Sequence, residues 1–382
     1  MINSLRVGGA ETVFLNELIH LGGLGVDAVC ITLNGLSNQW LTDKKANICL
    51  QPSQFVELDR IKKLSLANGY HCLEGVGEVS LKTAFKLAQY IRSSGMTCLY
   101  TTLDTPIKIA LLAKLFYGDF RLIVREARMY SQKPVYLRLL DRALSRLVDQ
   151  YVAVSCVVSD SMPSKIRRST GRVAVLTNGV KTKIERSEYG LPVVNLVTVA
   201  SLREVKRIDL VIKAFGYLSD LFPQLNLLII GSGELEADLK SLARVQPGTH
   251  RIQFLGLLTG EQLESIYRQP SVFVLASDSE GCPNALLEAM AHALPCVGSN
   301  APGILEVLGN GVFGAIFQRG SVTSLVGMLS RVLDSSDYRS QIGRDGQRRV
   351  QTDYSLQQHF LGLDRILFPE GLPLLENAKC KA

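Results

Sequence analysis

Apolar strands that lead directly into helices constrain this chain more than any other feature. Val193 to Val199 is an apolar strand, followed by a helical pattern that turns Leu210, Val211, Ala214, Phe215 and Leu218 to one face. Leu225 to Ile230 runs into Gly231-Ser-Gly-Glu234, and Val272 to Leu275 leads through a turn into a third helix. The first half alternates in the same way. Strands at Val26 to Leu33, Thr97 to Tyr100, Phe120 to Val124 and Tyr151 to Val154 are interleaved with helices near Leu81 to Arg92, Pro106 to Phe116 and Val135 to Leu147. Such alternation predicts an α/β chain whose parallel sheets are covered on both faces. A length of 382 residues accommodates two domains of ordinary size.

The stretch from Ala276 to Pro295 concentrates the chemistry. Its turn holds Glu280, Gly281 and Pro283, and its helix carries Glu288. Pro283 suits the first helical position, where a missing N–H leaves no bond unmade. In one continuous helix the two carboxylates would lie about 12 Å apart, but the turn can fold Glu280 back so that both face one crevice. Around Glu288 the helix is apolar nearly all round, through Ala285, Leu286, Leu287, Ala289, Met290 and Ala291. A carboxylate on such a helix requires a partner or a ligand. Carboxylates accept hydrogen bonds from sugar hydroxyls, and a helix N-terminus accepts a phosphate.

Ser-Asp-Ser-Glu-Gly-Cys-Pro-Asn-Ala-Leu-Leu-Glu-Ala-Met, from Ser277 to Met290, resembles the signature of the retaining glycosyltransferases of family 4. The resemblance is strongest from about residue 193 to 316. It implies the GT-B fold of two Rossmann-like domains, the first spanning 1–180 with a crossover helix at 355–382, the second 193–354. It also implies that Glu280 lies against the transferred sugar and that Glu288 binds the ribose of the nucleotide. Gly281, Cys282 and Asn284 belong to the same donor-binding turn.

Arg203, Lys206 and Arg207 follow the strand at Val193 to Val199, in the crevice position where open parallel sheets bind ligands. By the spacing that the resemblance supplies, Arg203 and Lys206 are assigned to the donor's diphosphate, with Glu280 completing the catalytic set. Gly231 is a further donor-site candidate, and Gly303 and Ile304 start a short helix able to offer backbone N–H groups to phosphate. Gly231-Ser-Gly-Glu is not a full dinucleotide fingerprint and no P-loop lysine follows, which weakens oxidoreductase and kinase readings. No Asp-x-Asp metal motif stands near this site, so no metal and no cofactor are expected beyond the nucleotide-sugar co-substrate.

Near the start, Gly8-Gly9-Ala10-Glu11 precedes an amphipathic helix, and Gly9 resembles the family's glycine pair facing the diphosphate. Four departures accompany the resemblance. Only Met1 to Leu5 stand where the family has a full buried strand. His20, His71, His250, His292 and His359 lie in no context matching the family's sugar-binding histidine. Ala293 stands where the family usually has glycine, and Thr177 replaces proline in Thr-Asn-Gly-Val. Strand ends carry Thr101, Thr102, Asp104, Arg125 and Glu126 instead, as candidates for an acceptor site.

The net charge of +7 is concentrated at residues 121–186, which hold 14 basic and 5 acidic side chains. They include Arg121, Arg125, Arg128, Lys133, Arg138, Arg142, Arg146, Lys165, Arg167 and Arg168, with Arg138, Arg142 and Arg146 along one helical stripe. This predicts a surface for anionic lipid head groups or a polyanionic acceptor. No nucleic-acid motif accompanies it. Eight cysteines without paired spacing suggest reduced thiols, and the start lacks a signal-peptide core, so the expectation is a cytoplasmic protein, peripheral on the inner face of the membrane. The leading reading is a retaining glycosyltransferase that moves a sugar from a nucleotide diphosphate to a glycan or lipid-linked hydroxyl. A sugar-nucleotide epimerase and a non-catalytic sugar-nucleotide binder are the alternatives.

Overall fold

A computed structural model describes residues 9–26, 30–32, 70–72, 79–168, 173–182, 192–258 and 260–371. Expectations for Met1 to Gly8, for most of 33–78 and 183–191 and for the chain after 371 lie outside the described residues. Two compact units emerge, residues 1–177 with 359–382, and residues 178–358. Among the described residues the chain is α/β, and every strand pairing within the three sheets is parallel.

The first unit contains α1 (Gly9–Gly23), β1 (Cys30–Thr32), β2 (Tyr70–Cys72), α2 (Leu81–Ser94), β3 (Cys98–Thr102), α3 (Asp104–Phe116), β4 (Arg121–Glu126), α4 (Val135–Leu144), β5 (Gln150–Ala153), α5 (Cys156–Ser161), α6 (Ser164–Arg168) and β6 (Val173–Val175). β1 pairs with β2, and β3 to β6 form a four-stranded sheet in sequence order. Ser80 caps α2 by accepting from the Thr83 N–H, and Gly95 ends it in the left-handed conformation. Leu87, Ile91, Ile109, Leu111, Leu122 and Val124 fill one core. On a separate cluster, Ile123 and Val152 meet Leu176 and two residues of the C-terminal helix, Leu363 and Ile366.

The second unit contains β7 (Asn195–Val199), α7 (Ile208–Leu218), β8 (Asn226–Ile230), α8 (Glu236–Arg244), β9 (Ile252–Gly256), α9 (Glu261–Tyr267), β10 (Ser271–Leu275), α10 (Asn284–Ala291), β11 (Cys296–Ser299), α11 (Pro302–Val307), β12 (Ala315–Phe317), α12 (Val322–Asp334) and α13 (Ser336–Asp353). α14 (Leu356–Leu367) begins here and continues in the first unit. Strand order is β12-β11-β10-β7-β8-β9. Order reverses between β7 and β10, and a doubly wound sheet opens its ligand crevice beyond the C-terminal ends of such a pair. β10 is buried along its whole length, as a strand covered on both faces must be.

Two local expectations are corrected, and a third residue shows why glycine suits its position. Pro283 sits one residue before the helix, with extended backbone (φ −77°, ψ 108°), because α10 opens at Asn284. The arginine stripe is broken, since α4 ends at Leu144 and Arg146 lies in a separate 3-10 turn. Ala293, expected to alter packing, is buried with a φ of +55°. That left-handed conformation costs an L-residue about 1–2 kcal/mol and explains why glycine suits the position.

Candidate functional site

The site grows from the two loops that leave β7 and β10. The Asp278 N–H donates to the Val205 carbonyl at 2.8 Å, fastening one loop to the other. Arg207 strengthens the seam through both carboxylate oxygens of Asp209, at 3.0 and 3.2 Å, and Asp278 at 3.4 Å. Hydrogen bonds to Asp209 are the chief reason that the Arg207 guanidinium is held even more firmly protonated, and the same contacts outweigh burial to lower the Asp209 carboxyl. Two further groups hold the turn from behind: Ser299 Oγ donates to the Ser277 carbonyl at 2.6 Å, and Arg319 donates to the Asp278 carbonyl at 2.8 Å.

On this frame Lys206 meets Glu280. Nζ to Oε1 is 2.6 Å, with the two side chains 18% and 11% exposed. Ser277 Oγ also donates to Glu280 Oε1, at 2.7 Å. A cation from the end of β7 and a carboxylate from the end of β10 thus touch across the point where strand order reverses. Arg203 stands exposed three residues earlier, its Nε directed at Ser201 Oγ at 3.1 Å, and does not join the pair in this state.

Glu288 lies about one turn into α10, half-buried. Burial pushes its carboxyl up to about 7, against the lowering effect of the Tyr267 hydroxyl, which donates to Oε2 at 3.5 Å. Tyr267 is itself fully buried, so desolvation and then the nearby Glu288 keep its hydroxyl protonated. His292 Nδ1 contacts the Glu288 carbonyl at 2.8 Å. Among the described residues, the expected need of Glu288 for a partner is met by one long hydrogen bond, from Tyr267.

Two glycines support the turn by letting backbone approach backbone. A Cβ on Gly303 would stand 2.3 Å from the Glu280 carbonyl oxygen and 2.6 Å from that of Gly281. Gly231, at φ +134°, lies against Ala200, where a Cβ would come within 1.9 Å of the carbonyl oxygen. Its backbone therefore needs glycine for packing, whatever it binds. The Ile304 N–H, expected to face a phosphate, donates to the Ala301 carbonyl at 2.9 Å and is engaged within the first turn of α11. Cys282 is buried, and its carbonyl accepts from Asn178 Nδ2 at 2.9 Å, while Asn284 Oδ1 accepts from the same group at 2.6 Å. Asn178 thus holds both ends of the Cys282 to Asn284 turn, a role that its place in an ordinary Asn-Gly turn does not announce.

In the first unit, Gly9 opens α1. Four of the five acceptor candidates are interior: Thr101, Thr102, Arg125 and Glu126 are at most 5% exposed. Arg125 donates to Glu17 at 2.6 Å. His359 bridges Glu17, at 3.0 Å through Nε2, and the Thr177 carbonyl, at 2.6 Å through Nδ1. Burial raises the Glu17 carboxyl, but Arg125 and His359 outweigh it and hold the group below the usual carboxylate range. Glu126 accepts from Lys133 at 2.5 Å, yet burial keeps its carboxyl raised. Only Asp104 of the five reaches the surface, where Arg128 pairs with it. Sequence spacing missed Glu17 because its partners lie 108 and 342 residues away. The available signal was its register three and four residues after Phe14 and Val13, the buried face of α1.

The same pairings thin out the basic surface. Arg125 and Lys133 are buried ion-pair partners, and Arg121 donates to Gln150 and to the carbonyls of Ile366 and Leu367. Among the described residues no cluster of His, Cys, Asp and Glu has the form of a metal site, and no helix is long and apolar enough to cross a membrane.

Residues 187–349 match the family described as glycosyl transferases group 1. An uncharacterized glycosyltransferase of Haemophilus influenzae is 27% identical over 164 residues, 43% of this chain and 46% of that protein. The amylovoran biosynthesis glycosyltransferase AmsK of Erwinia amylovora is 28% identical over 178 residues, 45% and 44% of the two chains. The chain spans less than half the length of these curated relatives. Among solved structures, the Anabaena protein HepE in complex with UDP shares 13% identity at a TM-score of 0.76, over 96% of this chain and 98% of its own. A glycosyltransferase from Rickettsia africae gives 0.75 at 14% identity, over 97% and 96%. These likenesses establish the fold, which is that of GT-B proteins.

Proposed function

We propose, from the match of residues 187–349 to the group 1 glycosyl transferases, that the chain is a retaining glycosyltransferase using a nucleotide-diphosphate sugar and a hydroxyl acceptor. The observation that carries this reading is the Lys206–Glu280 pair at the strand-order reversal. Lys206 and Arg203 bind the diphosphate and stabilise the charge that grows on it as it leaves. Glu280 accepts hydrogen bonds from the transferred sugar and Glu288 from the ribose, with Gly281, Cys282, Asn284 and Gly303 shaping the turn between them. The UDP held by the Anabaena neighbour supports a nucleotide-diphosphate donor.

In the reaction, the bond from the sugar's anomeric carbon to the phosphate oxygen breaks and a bond to the acceptor oxygen forms on the same face. The acceptor's proton passes to the leaving phosphate. With Lys206, and Arg203 once it turns toward the diphosphate, supplying positive charge, the proposed reaction needs no divalent metal and no cofactor. The name of AmsK, an amylovoran biosynthesis glycosyltransferase, supports a glycan acceptor; the basic residues of 121–186 are our ground for placing a surface-polysaccharide or lipid-linked acceptor at the cytoplasmic face of an anionic membrane.

The test incubates the full chain with a panel of nucleotide sugars and glycan or lipid-linked acceptors, in buffer with and without EDTA. Transfer with the donor's anomeric configuration retained, unaffected by EDTA, is expected. Inverted product refutes the retaining mechanism. Free nucleotide with an altered sugar and no acceptor requirement points to the epimerase, and nucleotide binding without turnover to the non-catalytic binder.

A further inference from the structure

The outward face of α4 has a chemistry that the donor site does not use. Val135, Tyr136 and Leu139 are 62%, 65% and 59% exposed on a helix of 10 residues. Cations surround them. Arg142 and Arg146 are exposed, Arg138 is half-buried, and the Lys108 ammonium of α3 lies 5.5 Å from the centre of the Tyr136 ring. The acids on the neighbouring elements are engaged elsewhere. Asp141, on α4 itself, is buried against Lys133 at 2.8 Å beside Glu126, and Asp104 is paired with Arg128. What α4 shows to solvent is therefore apolar in the middle and positive around it.

We infer that this face docks on an anionic lipid bilayer. Val135, Tyr136 and Leu139 enter the boundary between head groups and acyl chains, while Arg138, Arg142, Arg146 and Lys108 hold lipid phosphates. Tyrosine suits that depth because its ring is apolar and its hydroxyl wet. The inference rests on the membrane reading above and supplies the element that makes the contact. A polyanionic glycan would satisfy the arginines but leave three large apolar side chains in water. A second copy would bring the two sets of arginines together, which like-charge repulsion disfavours.

The experiment sediments the full chain with phosphatidylcholine vesicles, with and without phosphatidylglycerol, at low and high salt. The wild type is expected to partition onto the anionic vesicles and to be released by salt. Two surface cations contribute enough that Arg142→Ala with Arg146→Ala lowers the partition roughly thirty-fold. Tyr136→Ser with Leu139→Ser is expected to lower it too, and Tyr136→Trp to show a blue-shifted emission on these vesicles but not with dextran sulfate. All the variants sit on exposed positions, and unchanged nucleotide affinity verifies that they fold. Wild-type partition in both double variants overturns the role of α4 while sparing the membrane reading. Failure of the wild type to bind anionic vesicles, with nucleotide affinity intact, removes both and leaves the donor site standing. A Tyr136→Trp blue shift with dextran sulfate, or self-association abolished by Tyr136→Ser, overturns the inference in favour of a glycan or a second copy.

Discussion

Replacing Glu288 by glutamine removes a carboxyl whose proton the fold binds more tightly than the unfolded chain does. Burial raises that carboxyl from 4.5 to about 7, and each tenfold gain in proton affinity corresponds to about 1.4 kcal/mol. The folded state therefore binds more protons than the unfolded state between those two values, so stability falls as pH rises through the window. The full elevation would be worth about 3 kcal/mol, and the partial exposure of Glu288 reduces this to about 2 kcal/mol. The glutamine variant has nothing to titrate there and keeps a partner for the Tyr267 hydroxyl. Urea unfolding of both proteins, from pH 4.5 to pH 8, isolates the effect as a difference at each pH. The wild type is expected to lose about 2 kcal/mol relative to Glu288→Gln across that range. Parallel stability curves would refute the claim that burial raises this carboxyl.

Other perturbations probe the rest of the site. If ribose hydroxyls donate to ionised Glu288, nucleotide affinity measured calorimetrically falls up to about tenfold per pH unit below pH 7, and loses that dependence in Glu288→Gln. Lys206→Ala is expected to lower transfer by about 2–5 kcal/mol, roughly thirty-fold to several-thousand-fold, and near-normal turnover would remove Lys206 from the diphosphate site. Gly303→Ala drives a methyl into the Glu280 and Gly281 carbonyls and should cost about 1–3 kcal/mol of stability, with weaker nucleotide binding. Arg125→Ala leaves Glu17 buried without its main counter-charge and should cost about 3–5 kcal/mol in urea unfolding, an effect that Arg125→Ala with Glu17→Gln partly restores.

Much of the second unit could be read from local patterns. Strand, turn and helix follow one another within a few residues, so Val193 to Val199, Leu225 to Ile230 and Val272 to Leu275 carry their own signals. Lys206 and Glu280 were legible for a related reason: each sits just after a strand end, and parallel sheets place such ends together. Less of the first unit was legible. Arg125 and Glu126 occupy equivalent strand-end positions, yet Glu17 and Lys133 draw them into the interior. Nothing within ten residues of Arg125 announces Glu17, because helix register only says which side is buried and not what the buried group will meet.

The order of residues alone determined the α/β class, the parallel sheets and the turn on which Glu280 stands, because backbone propensity and apolar periodicity act over short stretches. Tertiary structure alone decided which charges are paired inside, which remain outside on α4, and that burial raises the Glu288 carboxyl to about 7. Those outcomes depend on desolvation and on partners far away in the chain, and distance in space is not written into distance along the sequence.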